Sequence, residues 1–324
     1  MKRHTLAAAT ALLGAAGPAL AQSSVNISGM IDIGVYRDTS KTWQVGPISR
    51  SNIAISGKED LGGGLATTFR LSTRFETDTG QLEQTDKPFF HDEATVGLKG
   101  AFGHVRVGRM LDAMYSFDWK FDAWGNFDRI ASPAWDIWHY NYPSDPTANA
   151  GTPDYGRINN AVIYDSPVYS GFSVHLSTAA NENVRGQGLE SPEQPWGATL
   201  LYEGDMLAAM VSSERNSRGD EDTFVGLRGT FGDFSLFGAY DRSESGLSVA
   251  KVYTASAQYV IDRITLRAGF GQLDLDEERA AQRTYTASVG YAFSKRTSVY
   301  LDVARKDYTD RDADMFGVGI THTF

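Results

Sequence analysis

Catalysis is the first chemistry to test, and the residues that would carry it are scattered. Beyond the N-terminal segment the histidines are His91, His104, His139, His175 and His322, each isolated in sequence. A hydrolase needs a nucleophile and a base within hydrogen-bond reach. Neither Gly-x-Ser-x-Gly nor His-Glu-x-x-His occurs. Cysteine is absent, which removes disulfides, thiolate metal sites and a Cys nucleophile. Asp310-Arg-Asp312-Ala-Asp314 begins like a calcium loop, but Met315 replaces the required Gly and no Glu closes it. No catalytic residue, metal or cofactor is expected.

What remains is the chemistry of placed charge. Forty acidic residues against thirty basic ones give a formal charge of −10. That disfavours a nucleic-acid binder, which needs a basic face to neutralise phosphates. One stretch stands out. After Arg109 no regular pattern resumes until about Arg157. Residues 112–156 hold seven aspartates, one lysine, one arginine, no glutamate and four of the six tryptophans: Trp119, Trp124, Trp135 and Trp138. A connection that long inside a compact chain needs a role.

The elements that would position these residues follow from periodicity. Residues 1–21 read as an export signal: Lys2 and Arg3 form a basic head, Leu6–Leu20 is apolar, and Ala19-Leu20-Ala21 supplies the small-x-small pattern, with cleavage before Gln22. Beyond it no run of 18 apolar residues exists, so no transmembrane helix is expected. From Val25 to Val35 apolar residues fall on odd positions, the period of a strand with one oily face. The same alternation recurs at Ile53/Ile55, Phe69/Leu71, Val299/Leu301/Val303 and Phe316/Val318/Ile320/His322/Phe324.

Alternation alone fits a secreted β-sandwich adhesin as well as a membrane barrel. The hairpin rhythm separates them. Gly97-Leu-Lys-Gly-Ala-Phe-Gly103 recurs as Gly226-Leu-Arg-Gly-Thr-Phe-Gly232, each a strand end, a tight turn and a new strand. Longer acidic segments lie between such turns: Asp38–Gly46, Thr77–Lys87, Asn181–Gln194, Glu214–Asp222, Asp274–Ala281 and Asp307–Asp314. Short turns on one rim and long polar loops on the other are the two ends of an outer-membrane barrel. Phe102, Phe231, Tyr259, Tyr291 and Phe293 collect near the short turns, as an interfacial girdle would. In hydrocarbon no water satisfies strand N–H and C=O groups, so only a sheet without edges spans. The pattern predicts about 16 antiparallel strands over residues 22–324, an all-β transmembrane barrel enclosing an aqueous channel.

The chain resembles the general diffusion porins of Gram-negative outer membranes, in the branch outside the enteric group. The resemblance rests on Gly29-Met-Ile-Asp32-Ile-Gly34-Val-Tyr36, Ser56-Gly-Lys-Glu59-Asp60-Leu-Gly-Gly-Gly64-Leu, Gly97–Gly103 running into Val107-Gly108-Arg109, Asn160–Pro167 before Gly171-Phe172, and the terminal Phe324. It implies a 16-stranded homotrimer in the outer membrane, passing small hydrophilic solutes and ions. It also implies a third loop, about 111–156, folded inward to narrow the bore.

The resemblance further implies a constriction with an arginine ladder facing an acidic loop. Arg70, between Phe69 and Leu71, and Arg157 match ladder positions. Arg74 shares the parity of Arg70, Arg106 lies inward between Val105 and Val107, and Arg50 stands near Asn52, where the family has Arg. The Pro-Glu-Phe-Gly-Gly loop motif of enteric relatives is absent. Asp112, Asp118 and Asp122 are the acidic candidates, with a loop-fastening role through Lys120, Arg129 or wall arginines as the alternative. Convergence of the five arginines would favour anions, and a dominant acidic loop would reverse that. The Trp-rich loop either wedges against the wall or offers a path for aromatic acids or sugars. Phe324, with Ile320 and His322, resembles the signal read by the barrel-assembly machinery. Asp310–Asp314 reads as a solvated rim, bridged to lipopolysaccharide by divalent ions.

Overall fold

The computed structural model describes residues 24–83, 87–144, 156–180, 193–276 and 278–324. The expected export segment, with its cleavage before Gln22, lies outside them, as do Asp145 and Asp154 of the long loop and most of Asn181–Gln194.

The described chain is nearly all strand. In order these are β1 (Ser24–Arg37), β2 (Trp43–Gly46), β3 (Ser51–Gly62), β4 (Leu65–Phe75), β5 (Glu93–Gly100) and β6 (Gly103–Leu111). After the long loop come β7 (Arg157–Asp165), β8 (Phe172–Ala179), β9 (Trp196–Glu203), β10 (Leu207–Arg215), β11 (Glu221–Phe231) and β12 (Phe234–Ser245). The chain closes with β13 (Ser248–Ile261), β14 (Ile264–Leu275), β15 (Glu278–Ala292), β16 (Thr297–Tyr308) and β17 (Asp312–Thr323). β1 pairs antiparallel with β2 and β3, from β3 onward each strand pairs antiparallel with its successor, and β1 pairs with β17 from Met30↔Thr323 to Arg37↔Phe316, which closes the sheet.

Seventeen segments make sixteen staves, because β2 and β3 both pair with β1 and form one stave interrupted at Pro47–Arg50. Proline has no N–H for the ladder, so the break falls where the sequence puts Pro47. The side chain of Asp32 on β1 fills the gap. Its Oδ1 accepts the backbone N–H groups of Ile48 at 2.8 Å and Ser49 at 2.9 Å. Its Oδ2 accepts the hydroxyls of Tyr300 at 2.6 Å and Thr321 at 2.5 Å.

Period-two residues face outward as the sequence reading expects. Val25, Ile27, Val35, Val96, Val107, Val162, Leu200, Leu227, Val318 and Ile320 are exposed on the outer face, where hydrocarbon would cover them. Phe102, Phe231, Tyr259, Tyr291 and Phe293 are exposed as well. The tight turn Gly62-Gly63-Gly64 between β3 and β4 is left-handed at all three residues (φ 83°, 62° and 81°), which only glycine adopts without strain. Among the described residues no helix is long and apolar enough to cross a membrane.

The rim opposite these turns departs from the sequence reading. Glu214–Asp222, Asp274–Ala281 and Asp307–Asp314 are not long loops. Strands run through most of the last two segments and into both ends of the first, where only residues 216–220 separate β10 from β11, and β12–β13 is joined by the two residues Gly246 and Leu247. Hairpins that rise above the membrane are wet on both faces, so their strand residues turn polar and imitate loop composition.

Candidate functional site

The connection from β6 to β7 folds into the barrel. Its described part, Asp112–Ser144, carries one short 3-10 turn at Asp118–Phe121. Met114, Phe121, Ala134, Ile137 and Trp138 of the loop form a buried cluster with inward side chains of the wall: Leu201, Met210, Phe224, Val252 and Leu273. The loop therefore lies against β9–β14 by hydrophobic burial. Wall hydroxyls satisfy its backbone. Ala123 N–H donates to Ser256 Oγ at 3.1 Å, Asn141 N–H to Ser243 Oγ at 3.1 Å, and Thr199 donates to Ala113 O at 2.8 Å.

At the β2–β3 gap the loop also touches the first staves. Ser49 and Asp128 form an isolated antiparallel bridge, and Arg129 N–H donates to Ile48 O at 3.0 Å. Asp128, buried, has its carboxyl pushed up to about 6 by loss of water, against the pull of the Ile130 and Ala131 N–H groups.

Beside the loop a cavity of about 1130 Å³ stays open in the bore. Arg50, Arg74 and Arg157 line one side of it. Arg70 and Arg106 do not join them: they sit nearer the short turns, Arg70 with Glu93 at 3.1 Å, and Arg106 with Asp165 at 2.9 Å and Glu93 at 3.6 Å. The register explains the separation, since Arg74 pairs across from Asn52 and Arg70 from Ser56, four residues lower on β4 with Ser72 between them on the same face.

The upper arginines do not stand alone. The loop between β4 and β5 brings two acids to them. Asp92 takes Arg74 Nε at 2.9 Å and also contacts Arg157 Nη2, while its backbone oxygen accepts Arg157 Nε at 3.0 Å. Glu83 lies 3.6 Å from Arg50, 3.8 Å from Arg74 and 3.8 Å from Arg129. Burial works to raise both carboxyls, but the guanidinium groups around them win, and both are held below the ordinary carboxylate range.

The three loop aspartates expected to face the bore spend their carboxylates within the loop, and of the three only Asp118 lines the cavity. Asp112 Oδ1 accepts Met114 and Tyr115 N–H at 3.0 and 2.8 Å. Asp122 Oδ2 accepts Trp124 N–H, Asn126 N–H and Ser132 Oγ–H at 3.2, 2.9 and 2.9 Å. Asp118 Oδ2 lies 2.9 Å from His139 Nε2. Each is 4% exposed or less. Their partners are mostly backbone amides, whereas Lys120 goes to Glu203 at 2.7 Å and Arg129 to Glu76 at 3.1 Å.

Sequence reasoning missed Glu83, Asp92, Arg267 and Asp136. Arg267, on β14, lines the cavity and donates to Gln258 Oε1 at 2.9 Å; its place between Leu266 and Ala268 carried the same parity signal as Arg70. Asp136 lines the cavity and pairs with Lys306 at 2.8 Å. Of the loop tryptophans, Trp138 is buried and donates to Thr254 at 3.2 Å, Trp124 donates to Ser288 at 3.2 Å, and Trp135 lies under Arg50 at 4.5 Å. Trp119 is exposed.

A closed sixteen-stave barrel with an inward loop and charge around its waist is a fold with known relatives. Residues 8–311 match the model of the Gram-negative porin family. The chain belongs to that family. This porin is 27% identical to outer membrane porin protein 32 of Delftia acidovorans, over 98% of this chain and 92% of that one. It is 26% identical to major outer membrane protein P.IB of Neisseria meningitidis, over the whole of both chains. Among solved structures the anion-selective porin from Comamonas acidovorans superposes with a TM-score of 0.78 at 21% identity, covering 94% of this porin and 100% of that chain. The porin is an outer-membrane channel for small hydrophilic solutes, and its bore passes between the arginine wall and the inserted loop.

Proposed function

We propose that this porin assembles as a homotrimer and prefers anions weakly. The observation that carries the preference is which charges are left to the cavity. Arg50, Arg74, Arg157 and Arg267 line it, whereas the loop acids that line it are committed elsewhere: Asp118 to His139, Asp128 to loop amides and Asp136 to Lys306. The wall is partly neutralised by Glu83 and Asp92, so the preference is weak. At physiological salt the Debye length is about 8 Å, comparable to a pore radius, so the fixed charges act across the gap. The overall −10 does not set the sign, because distant acids are screened. The Comamonas acidovorans neighbour, named as anion-selective, supports the same direction.

The outer apolar belt supports contact with lipid, and the acidic rim supports lipopolysaccharide bridged by divalent ions. The paired end of β17 supports a role for Phe324 in barrel assembly. The test is the zero-current potential of the reconstituted porin under a potassium chloride gradient. A potential of the sign set by chloride supports the proposal; one set by potassium overturns it.

A further inference from the structure

His139 is isolated in sequence but not in space. Its Nδ1 lies 2.6 Å from Asp222 Oδ2 and 2.8 Å from Asp241 Oδ2, and its Nε2 lies 2.9 Å from Asp118 Oδ2. The loop supplies His139 and Asp118; β11 and β12 supply Asp222 and Asp241, inward and diagonal to one another, since Phe224 pairs across from Asp241. All four side chains are nearly sealed, with His139 1% exposed and Asp222 and Asp241 0%. The ligand-capable atoms of His139, Asp222 and Asp241 fall within 4.8 Å of one another.

Two features go beyond an ion-paired histidine. First, Asp241 Oδ1 and Asp222 Oδ1 have no hydrogen-bond partner among the described residues, and Asp241 Oδ2 meets only the shared imidazole. Such orphaned buried oxygens are costly unless something cationic meets them. Second, the imidazole is held at Nε2 by a carboxylate while Nδ1 faces two more. That is the arrangement in which an outer carboxylate fixes a metal-binding histidine and raises its basicity. Tyr115 tilts over the imidazole at 4.2 Å and Phe224 stands at 5.8 Å, so the pocket is walled by aromatic rings.

We propose that His139 Nδ1, Asp222 and Asp241 form a site for a divalent transition-metal ion of the zinc class, with Asp118 as the positioning residue behind the imidazole. One imidazole and two carboxylates is a donor set that suits such an ion. Three buried carboxylates share a single imidazole here, and a divalent ion supplies the missing positive charge. The present spacings are close; a tetrahedral ion with bonds near 2.0–2.2 Å wants donors about 3.3 Å apart. Rotation of the two carboxylates, each of which has one oxygen free of hydrogen bonds, provides that. His139 and Asp118 line the bore cavity, so an ion enters from the channel. Bound there, it ties the loop to β11 and β12 and holds the constriction in place.

The experiment uses untagged, folded, full-length porin in detergent, stripped with chelator, equilibrated with zinc at neutral pH and freed of excess. Metal analysis should find one zinc per chain, cobalt substitution should give the visible bands of a four-coordinate nitrogen/oxygen site, and zinc should raise the unfolding temperature. Asp241→Asn and His139→Gln should reduce bound zinc to background, while Asp118→Asn should weaken affinity by roughly tenfold. Sheet circular dichroism and single-channel conductance certify that each variant is folded. Absence of stoichiometric zinc in the unaltered porin overturns the site whatever the variants do. Zinc retained undiminished by a folded Asp241→Asn overturns it too, because the ion would then sit elsewhere, such as the aspartate-rich rim.

Discussion

Glu83 Oε1 stands 3.6 Å from Arg50 Nε, so the arginine wall of the bore carries its own counter-charge on a neighbouring loop. Glu83 also reaches Arg74 and Arg129. Glu83→Gln removes one negative charge from the waist and keeps an acceptor for the guanidinium groups. Anion-over-cation permeability should rise by about twofold, the order expected for one fixed charge in a gap near the Debye length. The zero-current potential reads this directly; no change would mean that Glu83 does not face the current path.

The arginines should not be equivalent. Arg74 lines the cavity, whereas Arg70 lies four residues lower on β4, against Glu93. Arg74→Ser should therefore move the zero-current potential toward cations more than Arg70→Ser does. Equal shifts in the two variants would place the selective zone lower in the barrel than the loop.

How much of this was written in the sequence depends on what each residue touches. The apolar residues that alternate along Val25–Val35 and Val299–Val303 face the lipid side, so alternation reports their facing faithfully. Leu201, Met210, Phe224, Val252 and Leu273 point inward yet are apolar, because the inserted loop covers them. There period two loses its meaning, and only the length of the 112–156 gap betrays the cause. Asp112 and Asp122 read as pore acids from charge alone, but charge does not disclose that backbone amides claim them. His139 meets partners from its own loop, from β11 and from β12, and no local spacing encodes that meeting.

Asp32 is the residue on which the broken stave depends. Asp32→Ala would leave the buried N–H groups of Ile48 and Ser49 without acceptors, along with two hydroxyls. Each orphaned backbone group costs about 1–3 kcal/mol, so the loss should be roughly 2–5 kcal/mol. Because Arg129 and Asp128 tie the loop to the same gap, open-channel current noise should also increase. A thermal unfolding midpoint equal to that of the unaltered porin would refute the role.

The Asp128 carboxyl gives that junction a pH dependence. Its folded value of about 6 lies above the ordinary 3.8, so the protonated form is favoured by folding. The associated stability is complete below about pH 4 and is lost as pH rises through 6. Asp128→Asn keeps an oxygen for the Ile130 and Ala131 amides without ever ionising. The variant should match the unaltered porin near pH 4 and unfold at a higher temperature at pH 7.5. An equal difference between the two at both pH values would show that Asp128 does not titrate in this window.

Phe324 closes the cylinder at its last residue. Its N–H donates to Gly29 O, and its carbonyl accepts Gly29 N–H, both at 3.1 Å, so the terminal strand remains laddered to β1 to the very end. Its ring lies on the outer face with Val318 and Ile320, all three exposed. Deleting Phe324 removes both bonds at the seam but leaves the eight register pairs from Met30 to Arg37 intact. Purified variant refolded in detergent should therefore reach nearly the same barrel, whereas the yield in outer membranes of living cells should fall several-fold. Parallel losses in both assays would assign Phe324 to seam packing. A loss confined to cells would make it a recognition signal for the assembly machinery.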